Sequence, residues 1–128
     1  MRIDRLDHFV LTVKDIEETC HFYSDICGME VVTFSRGRKA LSFGRQKINL
    51  HQAGAEFHPN AARPTCGSAD FCLIAAVSLE NVIECLNQHG VPIEDGPITR
   101  TGATGMIRSV YFRDPDKNLV EISVYVAT

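Results

Sequence analysis

The chain has no run of lysine and arginine, and its formal net charge is −3. No nucleic-acid or anionic-membrane footprint is therefore expected. Its longest apolar stretches are strand-sized, so no membrane-spanning helix is expected. The N-terminal MRIDRLDHFV lacks the apolar core of a secretory signal, and none is expected there. Cysteine occurs at positions 20, 27, 66, 72 and 85, an odd count with no CxxC pair. That pattern points to free thiols in a reducing compartment, hence a cytoplasmic protein. Disorder is not expected from the composition, since 45% of residues are apolar and 23% charged. A chain of 128 residues suits a single domain that folds without covalent staples.

Hydrophobic period then sets the elements. Leu6–Val13 alternates like a strand. Asp15 is an N-cap residue with Glu18 at capping-box spacing, and Ile16, Cys20, Tyr23 and Cys27 make one helical face. Gly28 suits the helix stop. Three strands follow at Glu30–Ser35, Lys39–Phe43 and Lys47–Gln52. Ala53–Ser68 has no period and reads as a linker; its stretch GAEFHPNAARP is a candidate lid.

The same order then returns. Asp70–Val77 reads as a strand, and Ser78 caps a helix with Leu79, Val82, Ile83 and Leu86 on its apolar face. Gly90 stops that helix. Ile98–Thr101, Met106–Phe112 and Asn118–Val124 read as strands, the last two joined by the turn Asp114–Lys117. The internal repeat, about 64 residues long, predicts a pseudo-two-fold with a pocket between two halves. Counting back from Val13 and Val77 makes Cys72 the counterpart of His8.

LDHFVLTVKDIEETCHFY, with a histidine on the first strand and a capped helix carrying Phe22-Tyr23, resembles the first half of vicinal oxygen chelate (glyoxalase/bleomycin resistance/dioxygenase) proteins. YFRDPDKNLVEIS resembles their closing hairpin, and RKALSFGRQKINLH fits the third and fourth strands. The nearest resemblance is to glyoxalase domain-containing proteins, some carrying virulence-protein or lactoylglutathione-lyase names. The resemblance implies an α+β fold of two tandem βαβββ modules, at 1–52 and 69–128, forming a U-shaped mixed sheet with one helix each. It also implies one divalent metal (Zn, Ni, Mn, Co or Fe) and a small oxygen-chelating substrate. A homodimer is a further implication, with the halves paired within or between chains.

In that pattern the ligands sit on the first and fourth strands of each half. His8 matches the first-strand ligand; a satisfied core histidine is the plainer alternative. Glu121 matches the last-strand ligand and the proton-shuttling catalytic carboxylate; an exposed strand glutamate is the plainer alternative. Strand alternation turns it away from Val120 and Ile122, where an unpaired carboxylate would be costly unless metal-bound. The repeat sets Asn49 against Glu121, but His51, two residues on, is chemically the better metal ligand. Asn49 is then a ligand or a substrate contact. Where relatives carry a histidine at the start of the second half, this chain has Cys72, with Asp70 on the same face. Cys72 reads as a core thiol or a ligand, and Asp70 as a substitute carboxylate. Arg63, Arg100 and Arg108 are candidates for an anionic substrate.

The set His8, His51 and Glu121 points to a metal-dependent lyase or isomerase of the glyoxalase I type. Asn49 and Cys72 depart from that enzyme's pattern. Two alternatives stay open: dioxygenase or epoxide-opening thiol-transfer chemistry, and a non-catalytic ligand-binding module.

Overall fold

Asp15 and Ser78 open the two helices as their sequence contexts predict. The Asp15 carboxylate accepts from the backbone N–H of Glu18, and the Ser78 hydroxyl from that of Asn81, both at 3.2 Å. In the computed structural model, which describes residues 1–127, these caps begin α1 (Ile16–Cys27) and α2 (Leu79–Gln88). Gly28, at φ 68°, ends α1 in the left-handed region where a side chain would be strained.

The strands are β1 (His8–Val13), β2 (Glu30–Phe34), β3 (Arg38–Phe43), β4 (Gln46–Gln52), β5 (Asp70–Ile74), β6 (Asp95–Thr101), β7 (Met106–Arg113) and β8 (Leu119–Tyr125). A 3₁₀ turn at Ser35–Gly37 joins β2 to β3. Three strands differ from the expected spans by more than one residue, and the first of them, β1, starts at His8 instead of Leu6. β5 stops at Ile74 instead of Val77: the Ala75 backbone N–H still donates to the Ser123 carbonyl of β8 at 2.9 Å, and the chain then turns away toward the Ser78 cap. β6 starts at Asp95 instead of Ile98, across a register irregularity between those residues.

The fold is α+β, with two modules of one helix and one four-stranded mixed sheet. The sheet orders are β1-β4-β3-β2 and β5-β8-β7-β6. In each, the first strand lies parallel to the fourth and the rest are antiparallel. Contacts divide the chain into two compact units, Met1–Gly67 and the part from Ser68 onward. Residues 53–67 cluster with the first unit.

Period-two alternation gives each sheet two faces. In the first unit, Leu11, Val13, Leu41, Ile48 and Leu50 are buried with Cys20 and Tyr23 of α1. In the second, Val110, Phe112, Val120 and Ile122 are buried with Leu79 and Leu86 of α2. The intervening residues turn to the other face of each sheet, and there the chemistry-bearing side chains stand. Among the described residues no helix is long and apolar enough to cross a membrane.

Candidate functional site

His8 opens β1 on the face turned away from α1. Its Nδ1 lies 2.8 Å from an Asp7 carboxylate oxygen. That contact holds the Asp7 carboxyl below its usual range, so the carboxylate accepts and Nδ1 carries the hydrogen. The second ring nitrogen, Nε2, is the one not engaged by Asp7. A carboxylate holding one nitrogen of a histidine is the arrangement that orients metal-ligating imidazoles.

Glu121 stands on β8 between buried Val120 and Ile122, facing away from both, as the alternation predicts. The Ser109 hydroxyl of β7 donates to its Oε2 at 2.5 Å, and the Ser123 hydroxyl does so at 3.3 Å. The two serine oxygens are 2.6 Å apart, and the Cys72 sulfur is 3.2 Å from that of Ser123. Burial pushes the Cys72 thiol upward, so it stays protonated at neutral pH. Among the described residues Glu121 forms no ion pair.

The turn before β8 fixes where Glu121 falls. Buried Asp114 accepts from the backbone N–H groups of Asp116 and Asn118, both at 2.9 Å, and from the Asn118 side-chain amide at 2.8 Å. The Asn118 side-chain oxygen in turn accepts from the backbone N–H of Ala69 at 2.9 Å, tying the turn to the entry of β5.

The register corrects the counterpart of His8. Asn49 lies beside Ala40 and Val10, and Glu121 beside Tyr111 and Cys72. With Asn49 and Glu121 equivalent, Val10 matches Cys72, and His8 matches Asp70. The stretch from strand start to helix cap is one residue longer in the second unit, and Val77 lies one residue before its cap where Val13 lies two before, so a count backward from these valines is off by two. Asp70 is exposed at the start of β5.

His51 is 3% exposed and occupied differently from His8. An Arg38 guanidinium nitrogen donates to its Nε2 at 3.3 Å. Burial, then the Arg38 charge, lower its pKa, with Glu56 opposing them, so the ring is neutral and Nε2 accepts. Its lone pair is engaged by a cation. Phe57, from the segment considered as a lid, crosses the His51 ring edge-on with centroids 5.5 Å apart.

The other candidate arginines are scattered. Arg100 donates to the Tyr111 hydroxyl at 3.1 Å and approaches Asp95 at 3.8 Å. Tyr111 neighbours Glu121 across β7 and β8. Arg108 is exposed on the β7 face opposite to Glu121, and Arg63 is exposed in the segment after β4. Arg38 was not among the sequence candidates. Its signal was the antiparallel register, which carries a residue two before Ala40 opposite one two after Asn49. Among the described residues no three His, Cys, Asp or Glu side chains form a metal-binding group.

Residues 5–122 match the family described as the glyoxalase/bleomycin resistance protein/dioxygenase superfamily, and the chain belongs to it. It is 56% identical over 126 residues to virulence protein STM3117 of Salmonella typhimurium, covering 98% of this chain and 88% of that protein. The crystal structure of that protein superposes with a TM-score of 0.96, covering 98% of this chain and 100% of the other. Glyoxalase domain-containing protein RDO1 of Mycosarcoma maydis is 49% identical over 125 residues, covering 98% of this chain and 70% of that protein. A lactoylglutathione lyase from Agrobacterium tumefaciens shares the fold at 24% identity, with a TM-score of 0.74 and coverage of 96% and 95%.

Proposed function

We propose that this chain is a metal-dependent enzyme of the lyase or isomerase type, acting on a small substrate that presents two oxygens. The observation that carries the reading is His8, whose Nδ1 is held by Asp7 so that Nε2 is presented for ligation. We assign His8 in the first unit and Glu121 in the second as divalent-metal ligands, with Asp70, the register counterpart of His8, as the next oxygen donor. Imidazole nitrogen and carboxylate oxygen suit Zn, Ni, Mn, Co or Fe(II). Cys72 fits less well, because its thiol is protonated and spent on Ser123. His51 fits less well, because Arg38 occupies its lone pair.

When bound, such an ion polarises paired substrate oxygens and stabilises negative charge developing on them. The chain's own residues supply the rest. Ser109 and Ser123 hold Oε2 of Glu121 and the Tyr111 hydroxyl bonds the same side chain; to this carboxylate we assign taking a proton from carbon beside the polarised group and returning it. Asp7 fixes the tautomer of His8. We further propose a cytoplasmic homodimer, on the strength of free thiols and of what the superfamily resemblance implies.

The test is elemental analysis of the purified protein beside His8→Ala, Glu121→Gln, Asp70→Asn and Cys72→Ser. Near-stoichiometric metal is expected in the parent and in Cys72→Ser, with loss in the first two variants and weakening in the third. Turnover of methylglyoxal with glutathione by the metal-loaded parent would name the reaction. A parent that neither carries nor takes up Zn, Ni, Mn, Co or Fe ends the enzyme reading and leaves a ligand-binding module.

A further inference from the structure

Arg100, a candidate for an anionic substrate by sequence, is engaged within its own unit. Its Nε donates to the Tyr111 hydroxyl at 3.1 Å, and a terminal nitrogen lies 3.8 Å from an Asp95 carboxylate oxygen. Its guanidinium carbon is 5.7 Å from the Tyr111 ring centroid. Asp95 pairs with Tyr111 across β6 and β7, and Tyr111 pairs with Glu121 across β7 and β8. Asp95, Arg100 and Glu121 therefore stand around one phenol.

Counting hydrogens fixes the direction of these bonds. A guanidinium only donates, and an ionised carboxylate only accepts. The Tyr111 oxygen accepts from Arg100, so its single hydrogen is left for Glu121, to which the hydroxyl also bonds. The Ser109 and Ser123 hydroxyls reach the same carboxylate. Glu121 is thus met by hydroxyl hydrogens, and among the described residues it forms no ion pair. A guanidinium placed directly against it would grip both oxygens, the atoms a metal needs. A phenol set between the two passes on one hydrogen bond and keeps the cation a side chain away.

We propose that Arg100 is a positioning residue, whose Nε–H holds the Tyr111 hydroxyl so that the phenol hydrogen points at Glu121 and fixes the orientation of that carboxylate. In this role Arg100 touches neither metal nor substrate. The donor at the ε position is what acts, and the charge is secondary. The inference rests on the reading of Glu121 as a metal ligand for its purpose, and on Arg100, Tyr111 and Glu121 alone for its geometry.

The test is ultraviolet resonance Raman spectroscopy of the chelator-treated full chain. The intensity ratio of the tyrosine ring doublet reports whether a phenol oxygen donates, accepts or does both. Subtracting the Tyr111→Phe spectrum isolates Tyr111 from Tyr23 and Tyr125. Arg100 is half-exposed, so its variants are expected to fold. Arg100→Leu should shift Tyr111 to a donor-only ratio, and Glu121→Leu should shift it the opposite way. Arg100→Gln should restore most of the parent's ratio, because the glutamine amide nitrogen stands as many bonds from Cα as Nε does and donates without charge. Titration with Zn then reads the consequence. Arg100→Leu should weaken uptake several-fold, Arg100→Gln should recover most of the loss, and Arg100→Leu should add nothing in a Tyr111→Phe background. An unchanged doublet in Arg100→Leu, a doublet in Arg100→Gln that matches Arg100→Leu, or additive losses of affinity would each overturn the proposal. A parent that takes up no metal overturns the metal reading above, and the doublet then decides the positioning by itself.

Discussion

The two units share one backbone plan and differ in what they do with the face opposite the helix. In the first, that face gathers cations and rings: Arg38, Lys47, Phe34 and Phe57 around neutral His51. In the second, the same face gathers a carboxylate and hydroxyls, with Glu121 held by Ser109 and Ser123. At matching register positions stand Asn49 and Glu121. A repeated frame thus fixes where a side chain can act, while the residue placed there fixes which charge the face accepts. The first face suits an anion and the second a cation.

The comparison can be broken from the core outward. The largest effect is expected from Phe112→Ala, which empties a site 1% exposed in the second unit and should lower stability by about 3–5 kcal/mol. Urea denaturation would show it, and a loss below about 1 kcal/mol would mean that this core is looser than its burial implies. Next come two glycines. A Cβ on Gly96, at φ 100°, would sit 2.3 Å from the Ser109 carbonyl oxygen, whereas one on Gly28, at φ 68°, meets nothing within 4 Å. Gly96→Ala should therefore cost about 3 kcal/mol or more, and Gly28→Ala about 1 kcal/mol. Equal melting shifts for the two would contradict the close approach at Gly96.

Smaller effects sharpen the contrast between the two faces. Ser109→Ala removes the shortest hydrogen bond to Glu121 and should weaken metal binding about 10–100-fold, with the fold retained. Metal titration of that variant returning the parent's affinity would mean that Glu121 needs no support. The smallest effect is on pH dependence. His51 is held below its ordinary value of 6.5, so below that pH the unfolded chain binds more protons than the folded one. Stability is then complete above pH 6.5 and falls as the pH drops toward the folded-state value. His51→Gln keeps an acceptor for Arg38 and should flatten that acid slope between pH 6.5 and 5. Urea midpoints with the same slope in parent and variant would count against a buried neutral His51.

Much of this was legible in the linear pattern. The spacing Ile16, Cys20, Tyr23 gave the buried stripe of α1, and the Asp15 and Ser78 caps appear with the hydrogen bonds their types predict. The alternation around Glu121 correctly turned it from the core. These features are local, so near neighbours in sequence suffice to fix them. The counterpart of His8 was not local. The match moved two residues, from Cys72 to Asp70: one because the stretch from β5 to its helix cap is a residue longer, one because Val77 lies a residue nearer its cap than Val13 does, and the β5–β8 register reveals it.

The sequence by itself determined the period of each element, the repeat, the caps and the faces, because these follow from backbone geometry over a few residues. Only the tertiary structure decided what each candidate side chain meets. Two histidines in similar strand settings came out opposite, His8 beside a carboxylate and His51 beside a guanidinium. Arg38 meets His51 because antiparallel pairing brings β3 onto β4, and it meets Phe57 because the chain after β4 folds back. Electrostatic fate depends on neighbours a few ångströms away in space. No spacing along the chain encodes which neighbours those are.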